Sequence, residues 1–337
     1  MVPPQGVSGR PMKPSLWQQY CWGKDAIMRI VRWLLIGLVT LITAEVALAL
    51  ALVANLPRMS AGQMVEVRGE QLRVIDEGEG PAVILLHAAT AHATDMEVSI
   101  AGTLRAQGYR VISVDRPGQG WSSLNDPALI HLDAQSDLLA ELMTVLGLPT
   151  ATVVGHSLGG SVALAMGLDH PDRLDGLVLM STPTFSWDED HWWAYRAAEH
   201  PVFGRIFCTF AVPVIGSLLM DAGARETFAP DPMPEDYVQA AEIRRLLNPG
   251  VFCANARSRL VLTSDLADIE PRFAELSVPL MILIGTEDPV DSSFAAQPLA
   301  ALLPESELHE FEGAGHVIHH SRQDEVLALL GDFLARR

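Results

Sequence analysis

From about residue 64 onward, the chain is organised as short apolar runs that alternate with amphipathic segments. Apolar runs of about four to eight residues bounded by turn residues favour strands. The amphipathic segments include Asp133–Gly147 and, at the end of the chain, Asp324–Arg337. Such alternation predicts an α/β fold whose sheet is mostly parallel and covered by helices on both faces. The eight predicted strands, of which the first two form a hairpin, are Met64–Val67, Leu72–Asp76, Ala82–Leu86, Arg110–Asp115, Ala151–Gly155, Gly176–Met180, Leu280–Gly285 and Glu307–Glu312.

The alternation stops between Thr182 and about Asp268, where the sequence is helical and aromatic. We interpret this stretch, about residues 183–268, as an insertion over the sheet. Its aromatic side chains either line a pocket for an apolar group, or form the insertion's own core or touch a bilayer, and aromatic content does not separate these interpretations. The aromatic residues are Phe185, Trp187, Trp192, Trp193, Tyr195, Phe203, Phe207 and Phe210.

Near the N-terminus, Trp33–Leu56 is apolar throughout except for Glu45. Residues 34–54 contain seven Leu, two Ile and three Val. Together these contribute roughly −4 to −7 kcal/mol to membrane insertion, against about +3 kcal/mol for one central charge. The length also suits a hydrocarbon core of about 30 Å. We therefore predict a transmembrane helix over residues 33–56.

Charge around this segment predicts its orientation. Residues 1–32 contain five basic residues and one acid, so the positive-inside rule places this short segment in the cytoplasm. The predicted globular domain, residues 60–337, then lies on the non-cytoplasmic side. A cleaved signal peptide is the competing interpretation, because small residues recur at Ala47, Ala49 and Ala51, but the leader and the apolar stretch are long for one.

Overall charge and cysteine content narrow the range of partners. The net charge is −18, and removing the +4 of residues 1–32 leaves −22 for the remainder. A surface this acidic repels phosphate backbones, so we expect no nucleic-acid partner. The three cysteines have no zinc-ligand spacing, and we predict neither a metal nor a cofactor. Cys208 and Cys253 both lie in the insertion and can pair if that part is outside the cytoplasm.

Candidate chemistry follows three of the predicted strands. Gly155-His156-Ser157-Leu158-Gly159 places one serine between a strand and a helix that begins near Leu158. In such a turn the glycines allow the strained backbone that lifts a serine hydroxyl clear of the sheet. Asp288 follows the strand Leu280–Gly285, and His316 follows Glu307–Glu312. Because sites in open α/β sheets form at the carboxyl ends of strands, we expect Ser157, Asp288 and His316 to meet.

From about Met64 to its end, the chain resembles the α/β-hydrolase superfamily. The resemblance implies Ser157 as nucleophile, His316 as general base and Asp288 as the acid that orients it, a chemistry in which imidazole takes the serine proton. Glu287 and Asp291 compete for the role of the acid, and His319 and His320 for that of the base. The matching motifs are Gly78–His87, Asp115–Ser123, Gly155–Gly160, Gly285–Val290 and Gly313–His316.

An oxyanion needs N–H donors that are already in place. The resemblance implies one from Leu158 and one from the loop after the first core strand, His87-Ala88-Ala89-Thr90. Relatives usually have Gly after this His, so the second donor lies between Ala88 and Ala89, and we favour Ala89 by position. Within the same motifs, we expect Asp115 and Arg116 to brace their turn, and His87 to be a structural partner of the loop.

These residues predict a membrane-anchored serine hydrolase that cleaves carboxylic esters through an acyl-enzyme, with the insertion as its cap. The same triad acting on a carbon–carbon bond, an amide or in perhydrolysis is the alternative, and a non-catalytic scaffold is the third. The loop from His87 lacks the glycines expected of carbon–carbon hydrolases, which weighs against that branch. Epoxide hydrolysis and dehalogenation are disfavoured, because relatives with those activities have Asp where this chain has Ser157.

Overall fold

A computed structural model describes residues 16–187, 192–288 and 293–337 of the chain. Its centre is one eight-stranded sheet with the strand order β1-β2-β4-β3-β5-β6-β7-β8. β1 and β2 pair antiparallel, as do β2 and β4, and all other pairs are parallel. The predicted α/β fold with a mostly parallel eight-stranded sheet is therefore confirmed. The strands are β1 (Gln63–Val67), β2 (Glu70–Glu77), β3 (Ala82–Leu86), β4 (Arg110–Val114), β5 (Ala151–His156), β6 (Leu174–Met180), β7 (Leu280–Gly285) and β8 (Glu307–Phe311).

Helices cover both faces of the sheet and fill the long connection between β6 and β7. The α-helices are α1 (Leu16–Ala54), α2 (Ala93–Met96), α3 (Gly102–Ala106), α4 (Leu132–Val145), α5 (Leu158–Asp169), α6 (Trp193–Glu199), α7 (Gly204–Ile206), α8 (Val212–Phe228), α9 (Tyr237–Ala240), α10 (Pro249–Ile269), α11 (Ser293–Leu302), α12 (Ile318–Ser321) and α13 (Gln323–Leu334). Tighter 3₁₀ turns cover Pro127–Ile130, Pro171–Arg173, Ile243–Leu247 and Glu270–Glu275, and wider π turns cover Glu97–Ala101 and Phe207–Ala211.

The hydrophobic core forms two layers, one on each face of the sheet, because successive strand side chains point to opposite faces. In β3, Ile84 and Leu86 join the layer under α4 and α5, whereas Val83 and Leu85 join the layer under α13. All four side chains are buried. This is why β3 is apolar without a break in the sequence.

The parallel strands end in register, and this register builds the edge that carries the candidate chemistry. Leu86 of β3 lies beside Gly155 of β5, His156 of β5 lies beside Met180 of β6, and Gly285 of β7 lies beside Phe311 of β8. The loops that follow these strands therefore emerge side by side.

The connection between β6 and β7 lies over this edge, and we call it the cap. Its longest element is the continuous run Gly204–Phe228, formed by α7, a π turn and α8, which we call the cap helix. A disulfide joins Cys208 of the cap helix to Cys253 of α10. α10 leaves the cap and enters the main core, where Leu262 and Leu266 are buried.

The N-terminal helix α1 is a long apolar element ahead of the sheet. Its portion Ile27–Ala54 is long and apolar enough to cross a membrane by length and composition, and a signal sequence would pass the same test. Residues 27–45 are exposed, and only the last turns approach the rest of the protein, where Ala49 is buried. These turns pack against the cap helix.

Candidate active site

Ser157 occupies a strained turn between β5 and α5. Its backbone angles are φ 51° and ψ −124°, a left-handed φ that residues other than glycine rarely adopt. The turn is held by the Ser157 N–H, which donates to the Met180 carbonyl at 2.9 Å, and by the Gly160 N–H, which donates to the Ser157 carbonyl at 2.8 Å. Strain of this kind persists only where the surroundings enforce it, and it is common at functional sites.

The glycines on either side of Ser157 are required by close packing. A Cβ on Gly155 would lie 2.5 Å from the Gly159 carbonyl oxygen, and one on Gly159 would lie 2.5 Å from the Leu86 carbonyl oxygen. Both distances are shorter than any ordinary contact with a Cβ. The helix α5 can therefore begin directly against β3 and β5 only because neither residue has a side chain.

Asp288 and His316 come together at the far side of this edge. His316 Nδ1 lies 2.8 Å from Asp288 Oδ2, and both side chains are buried. Two bonds join their loops: the Glu287 N–H donates to the Ala314 carbonyl at 2.9 Å, and the Gly313 N–H donates to Thr286 Oγ1 at 2.9 Å. The pairing is thus fixed by backbone geometry as well as by charge.

His156 connects the serine turn to the His316 loop. Its ring lies 4.8 Å from the ring of His316, and its Nε2 donates to the His316 carbonyl at 3.0 Å. Burial, together with His319 and His316 nearby, lowers the pKa of His156 well below its ordinary value. A neutral ring therefore links the turn of Ser157 to the loop of the candidate base.

The competing residues lie elsewhere or outside the described part. Glu287 is exposed, and its backbone joins the loop pairing. His319 and His320 each bond the carboxylate of Asp95, both at 3.0 Å, whereas His316 bonds that of Asp288. Asp291 lies in residues 289–292, outside the described residues.

Arg116 holds the loop that follows β3. Its Nε donates to the His87 carbonyl at 3.1 Å, and its Nη2 donates to the Ala88 carbonyl at 3.2 Å. His87 in turn donates through Nδ1 to the Ala88 carbonyl at 2.7 Å and accepts the Arg116 N–H at Nε2, 3.0 Å away. Burial lowers the pKa of Arg116 to about 9 and, with the Arg116 charge, lowers the pKa of His87 well below its ordinary value. His87 is thus a neutral partner of the loop.

Asp115 braces the turn beside Arg116. Its carboxylate accepts the Ala93 N–H at 2.7 Å and the Trp121 N–H at 2.9 Å, and the buried Arg73 lies 3.5 Å away. A Cβ on Gly120 would lie 2.0 Å from this carboxylate, so the turn closes around it. Asp115 thus bonds backbone N–H groups and lies beside an arginine, whereas Asp288 bonds an imidazole.

A buried polar cluster around Asp95 was not predicted. Asp95 accepts hydrogen bonds from His319, His320 and the Tyr237 hydroxyl, the last at 2.9 Å. Burial works to raise the pKa of Asp95, but His319 and His320 outweigh it and hold the pKa well below the ordinary value. A buried negative charge therefore lies behind His156. The contacts span 142 to 225 residues of sequence, so no local pattern could have indicated them.

One part of this cluster has the composition of a metal site. Asp95, His156 and His319 offer ligand atoms that all lie within 4.8 Å of one another. However, His319 Nε2 and Asp95 Oδ2 are 3.0 Å apart and already bond each other, and Asp95 has further donors in His320 and Tyr237. The geometry is that of a hydrogen-bond network, and we assign no metal to it.

The cap also holds the His316 loop. Asp231 accepts the Gly315 N–H at 2.9 Å and the Arg322 guanidinium at 2.8 Å. A Cβ on Gly315 would lie 2.3 Å from the Ala229 carbonyl oxygen, so the chain before Asp231 packs directly on this loop. The position of His316 therefore depends on the cap as well as on β8.

An apolar cavity of about 440 Å³ lies within the cap and reaches Thr90, directly after the predicted oxyanion residue Ala89. The cap helix supplies much of its lining, including Val212, Gly216 and Met220. Of the eight aromatic residues named in the sequence analysis, Trp192 and Tyr195 line this cavity, and Phe228, Tyr237 and Phe252 of the cap line it as well. The other six do not line it: Phe185 and Trp187 lie against the main core, Phe207 packs beside the disulfide, Phe210 is half-buried, and Trp193 and Phe203 are exposed. Both interpretations of the aromatic residues thus hold, for different members.

Comparison with known proteins gives consistent matches. The model of the alpha/beta hydrolase fold family matches residues 81–323. A 2-hydroxy-6-oxononadienedioate/2-hydroxy-6-oxononatrienedioate hydrolase of Comamonas testosteroni is 28% identical over 278 residues, which cover 79% of this chain and 91% of that protein.

Two solved structures illustrate the likeness in fold. An esterase from Exiguobacterium antarcticum, 22% identical, covers 81% of this chain and aligns over 99% of its own with a TM-score of 0.67. A bacterial membrane phospholipase A, 20% identical, aligns over 94% of this chain and 98% of its own with a TM-score of 0.61.

Proposed function

This chain belongs to the alpha/beta hydrolase fold family, and on that premise we propose that it is a membrane-anchored serine hydrolase that cleaves carboxylic esters. The observation that carries the proposal is the buried His316–Asp288 pair, 2.8 Å apart, beside the strained serine turn at Ser157. A serine hydroxyl is a weak nucleophile until a neighbouring imidazole accepts its proton. The presence of a serine, an imidazole and a carboxylate at this edge of the sheet supports the proposal.

In the proposed reaction, Asp288 accepts the Nδ1–H of His316, which leaves the lone pair of Nε2 to take the Ser157 proton. The Ser157 oxygen attacks the ester carbonyl, and the imidazolium returns its proton to the leaving alcohol. Water then hydrolyses the acyl-enzyme by the same route. The buried Asp288 carboxylate stabilises the imidazolium in both halves of the reaction.

We assign the oxyanion to the N–H groups of Leu158 and Ala89. Within the described residues, neither N–H donates a hydrogen bond. The carbonyls of His87 and Ala88 are both held by Arg116, which fixes the peptide planes of this loop. Donors held in this way stabilise the developing negative charge without reorganising.

The proposed substrate is an ester with an apolar group. The apolar cavity reaches Thr90, the neighbour of Ala89, so an acyl or alcohol chain bound there would end beside the proposed oxyanion site. Carbon–carbon hydrolysis is the second candidate, and it is favoured by the 28% identity with the Comamonas hydrolase. The missing glycines of the His87 loop argued against it, and that argument stays a prediction.

We further propose that α1 anchors the protein, with residues 1–32 in the cytoplasm and the hydrolase domain, residues 60–337, outside with its cap over about 183–268. The disulfide between Cys208 and Cys253 supports an oxidising compartment, because such bonds are rare in the cytosol. The solved membrane phospholipase A, which aligns over 94% of this chain, supports the anchor by analogy of fold.

The deciding experiment labels the full chain, in detergent, with a fluorophosphonate probe and measures hydrolysis of p-nitrophenyl esters of graded chain length. We expect labelling and ester turnover by the wild type, and neither by Ser157→Ala. Ser136→Ala is the matched control, because Ser136 on α4 is buried and its hydroxyl has no partner within the described residues. Labelling with turnover of 2-hydroxymuconate semialdehyde but of no ester would instead establish carbon–carbon hydrolysis. Absence of labelling in the wild type would refute the serine mechanism.

A further inference from the structure

The outer face of the cap helix is an exposed apolar surface. Ile215 and Leu218 lie three residues apart, on one face, and both are exposed, Leu218 to 80%. Leu219, beside them, is also exposed and borders the cavity inside the cap. No charged residue occurs between Arg205 and Asp221. Further exposed apolar side chains extend the patch toward α6: Trp193, Val202, Phe203 and Ile206. Exposed apolar patches of this kind mark sites of interaction with proteins or membranes.

The position of α1 decides what covers this surface. α1 packs on the cap helix, on both its π turn and α8. The less exposed residues of α1 include Val46, Ala49 and Val53, which lie on one stripe of its last turns. Everything from residue 27 to residue 45 is exposed. The cap helix therefore contacts α1 only near the C-terminal end of α1.

The sequence of α1 fixes the depth of that contact. A helix crossing a bilayer needs about 20 apolar residues. Residues 33–54 contain one charge, Glu45, whereas a span shifted back to residues 25–44 would contain Asp25, Arg29 and Arg32. A span with fewer charges inserts at lower cost, so the crossing includes residues up to about Ala54. The turns that touch the cap helix then lie in the outer part of the bilayer.

We propose that the outer face of the cap helix lies in the outer leaflet of the membrane, and that the hydrolase takes a long-chain acyl ester from that leaflet. This rests on the proposed membrane anchor and ester hydrolysis. Because α1 and the cap helix are in contact, a span that ends near Ala54 places Leu218 and its neighbours at the same depth. Burial of these side chains in lipid removes apolar surface from water, which favours the arrangement.

The inner face of the same helix lines the cavity that would receive the acyl chain. Val212, Gly216 and Met220 line the apolar cavity that reaches Thr90. The cap helix thus has lipid on one side, as proposed, and the acyl cavity on the other. A chain leaving the leaflet would exchange one apolar environment for another without crossing water. A water-soluble substrate gains nothing from this arrangement, which makes the substrate class testable.

A first experiment measures depth independently of activity. Cys21→Ser leaves only the disulfide cysteines, and Leu218→Cys then carries an environment-sensitive fluorophore in vesicles of phosphatidylethanolamine and phosphatidylglycerol. Val145→Cys is the matched control, because Val145 is an exposed apolar residue, to 56%, at the end of α4. We expect lipid-attached quenchers to quench the label at 218, and aqueous iodide to quench only the label at 145. Iodide quenching of both labels would overturn the proposal, as would a label at 218 that neither quencher reaches, which indicates a second copy on the surface.

A second experiment tests substrate delivery. Leu218 does not line the cavity, and Leu218→Asp places a charge in the proposed lipid contact. We expect turnover of a long-chain ester embedded in vesicles to fall by about tenfold or more, with turnover of a short water-soluble ester unchanged. Val145→Asp should change neither rate. Equal turnover of the embedded ester by Leu218→Asp and wild type would overturn delivery from the leaflet.

The two experiments also separate this inference from the proposed function. If the wild type cleaves neither ester, the proposal of ester hydrolysis is refuted. The quenching experiment still tests whether the cap helix lies in the membrane, because it does not depend on activity. If the chain leaves the vesicles in alkaline carbonate, the anchor fails and the docking fails with it.

Discussion

The strand edge and the cap helix satisfy opposite requirements. At the strand edge, the polar groups of Ser157, Asp288 and His316 are buried and held by short backbone contacts. On the cap helix, apolar side chains such as Leu218 are left exposed. The first region reaches its geometry from within the fold, whereas the second is complete only with something outside it. A buried site is therefore recognised by the contacts within the fold, and a docking surface by apolar side chains that have no partner there.

The largest expected effect, on kcat, follows from removing the charge of the proposed catalytic acid, Asp288. Asp288→Asn keeps the shape but loses the charge and permits the wrong tautomer of His316, so we predict a fall in kcat on the order of 10³ to 10⁴ with KM little changed. Steady-state kinetics on a short ester measure it. Asp291→Asn and the exposed Glu287→Gln are controls that should each cost less than about tenfold. A dead Asp291→Asn with an active Asp288→Asn would show that the acid is misplaced by three residues.

The next effect concerns the cap rather than the chemistry. The double substitution Cys208→Ser, Cys253→Ser removes the disulfide between the cap helix and α10. This bond joins cysteines that are 45 residues apart and so closes a loop of the chain. The chain-entropy argument gives a loss of up to about 4 kcal/mol in the free energy of unfolding. We expect lower thermal stability of the detergent-solubilised chain, while Cys21→Ser leaves it unchanged. An unshifted melting temperature in the double variant would show that this bond adds nothing to the cap.

A smaller effect tests the loop that Arg116 holds. Arg116→Gln frees the His87 and Ala88 carbonyls and shifts the proposed donor Ala89, and we expect kcat to fall by about 10- to 100-fold. Arg110→Gln is the matched control, since Arg110 pairs with Asp76 at 2.7 Å, at the opposite end of β4 from Arg116. The kinetics and the melting temperature should be measured together. Equal losses of kcat in both variants would mean that the effect is not specific to the loop.

The smallest effect is a pH dependence of stability. Burial lowers the pKa values of His87 and His156 well below the ordinary 6.5, so below that pH the unfolded chain binds more protons than the folded one. Stability is then full above about pH 6.5, and each of the two residues lowers it by up to about 1.4 kcal/mol for every pH unit below that value. Denaturant unfolding between pH 7.5 and about 5 measures the slope. His156→Gln should reduce it, whereas a replacement of the exposed His200 should not; an unchanged slope in His156→Gln would count against a neutral buried His156.

The comparison of the two regions also explains how far the sequence could be interpreted. All eight strands and a mostly parallel sheet could be predicted, because the inner strands such as β3 and β7 are continuous apolar runs and the strands alternate with amphipathic helices. The candidate residues Ser157, Asp288 and His316 are also local, each a few residues after a strand. Parallel pairing brings such loops together without further information.

Other contacts depend on distances along the chain that no local pattern covers. Asp95 meets His319 and His320 only because α2 and α12 pack under the same edge. The packing of α1 on the cap helix joins residues more than 150 positions apart and leaves no periodic signal that names its partner. The π turn Phe207–Ala211, which interrupts the α-helical hydrogen bonding of the cap helix, likewise has no signature in composition.

The bond between Asp231 and the Gly315 N–H couples the position of the cap to the position of the His316 loop. Asp231 belongs to the cap, and Gly315 precedes His316 in the loop of the proposed base. A cap that lifted away would withdraw that bond, so the base would lose its brace whenever the site stood open. An open site and a braced base would then exclude each other. Among the many ester lipids of a membrane, this coupling would limit hydrolysis to molecules that the closed cap has already enclosed.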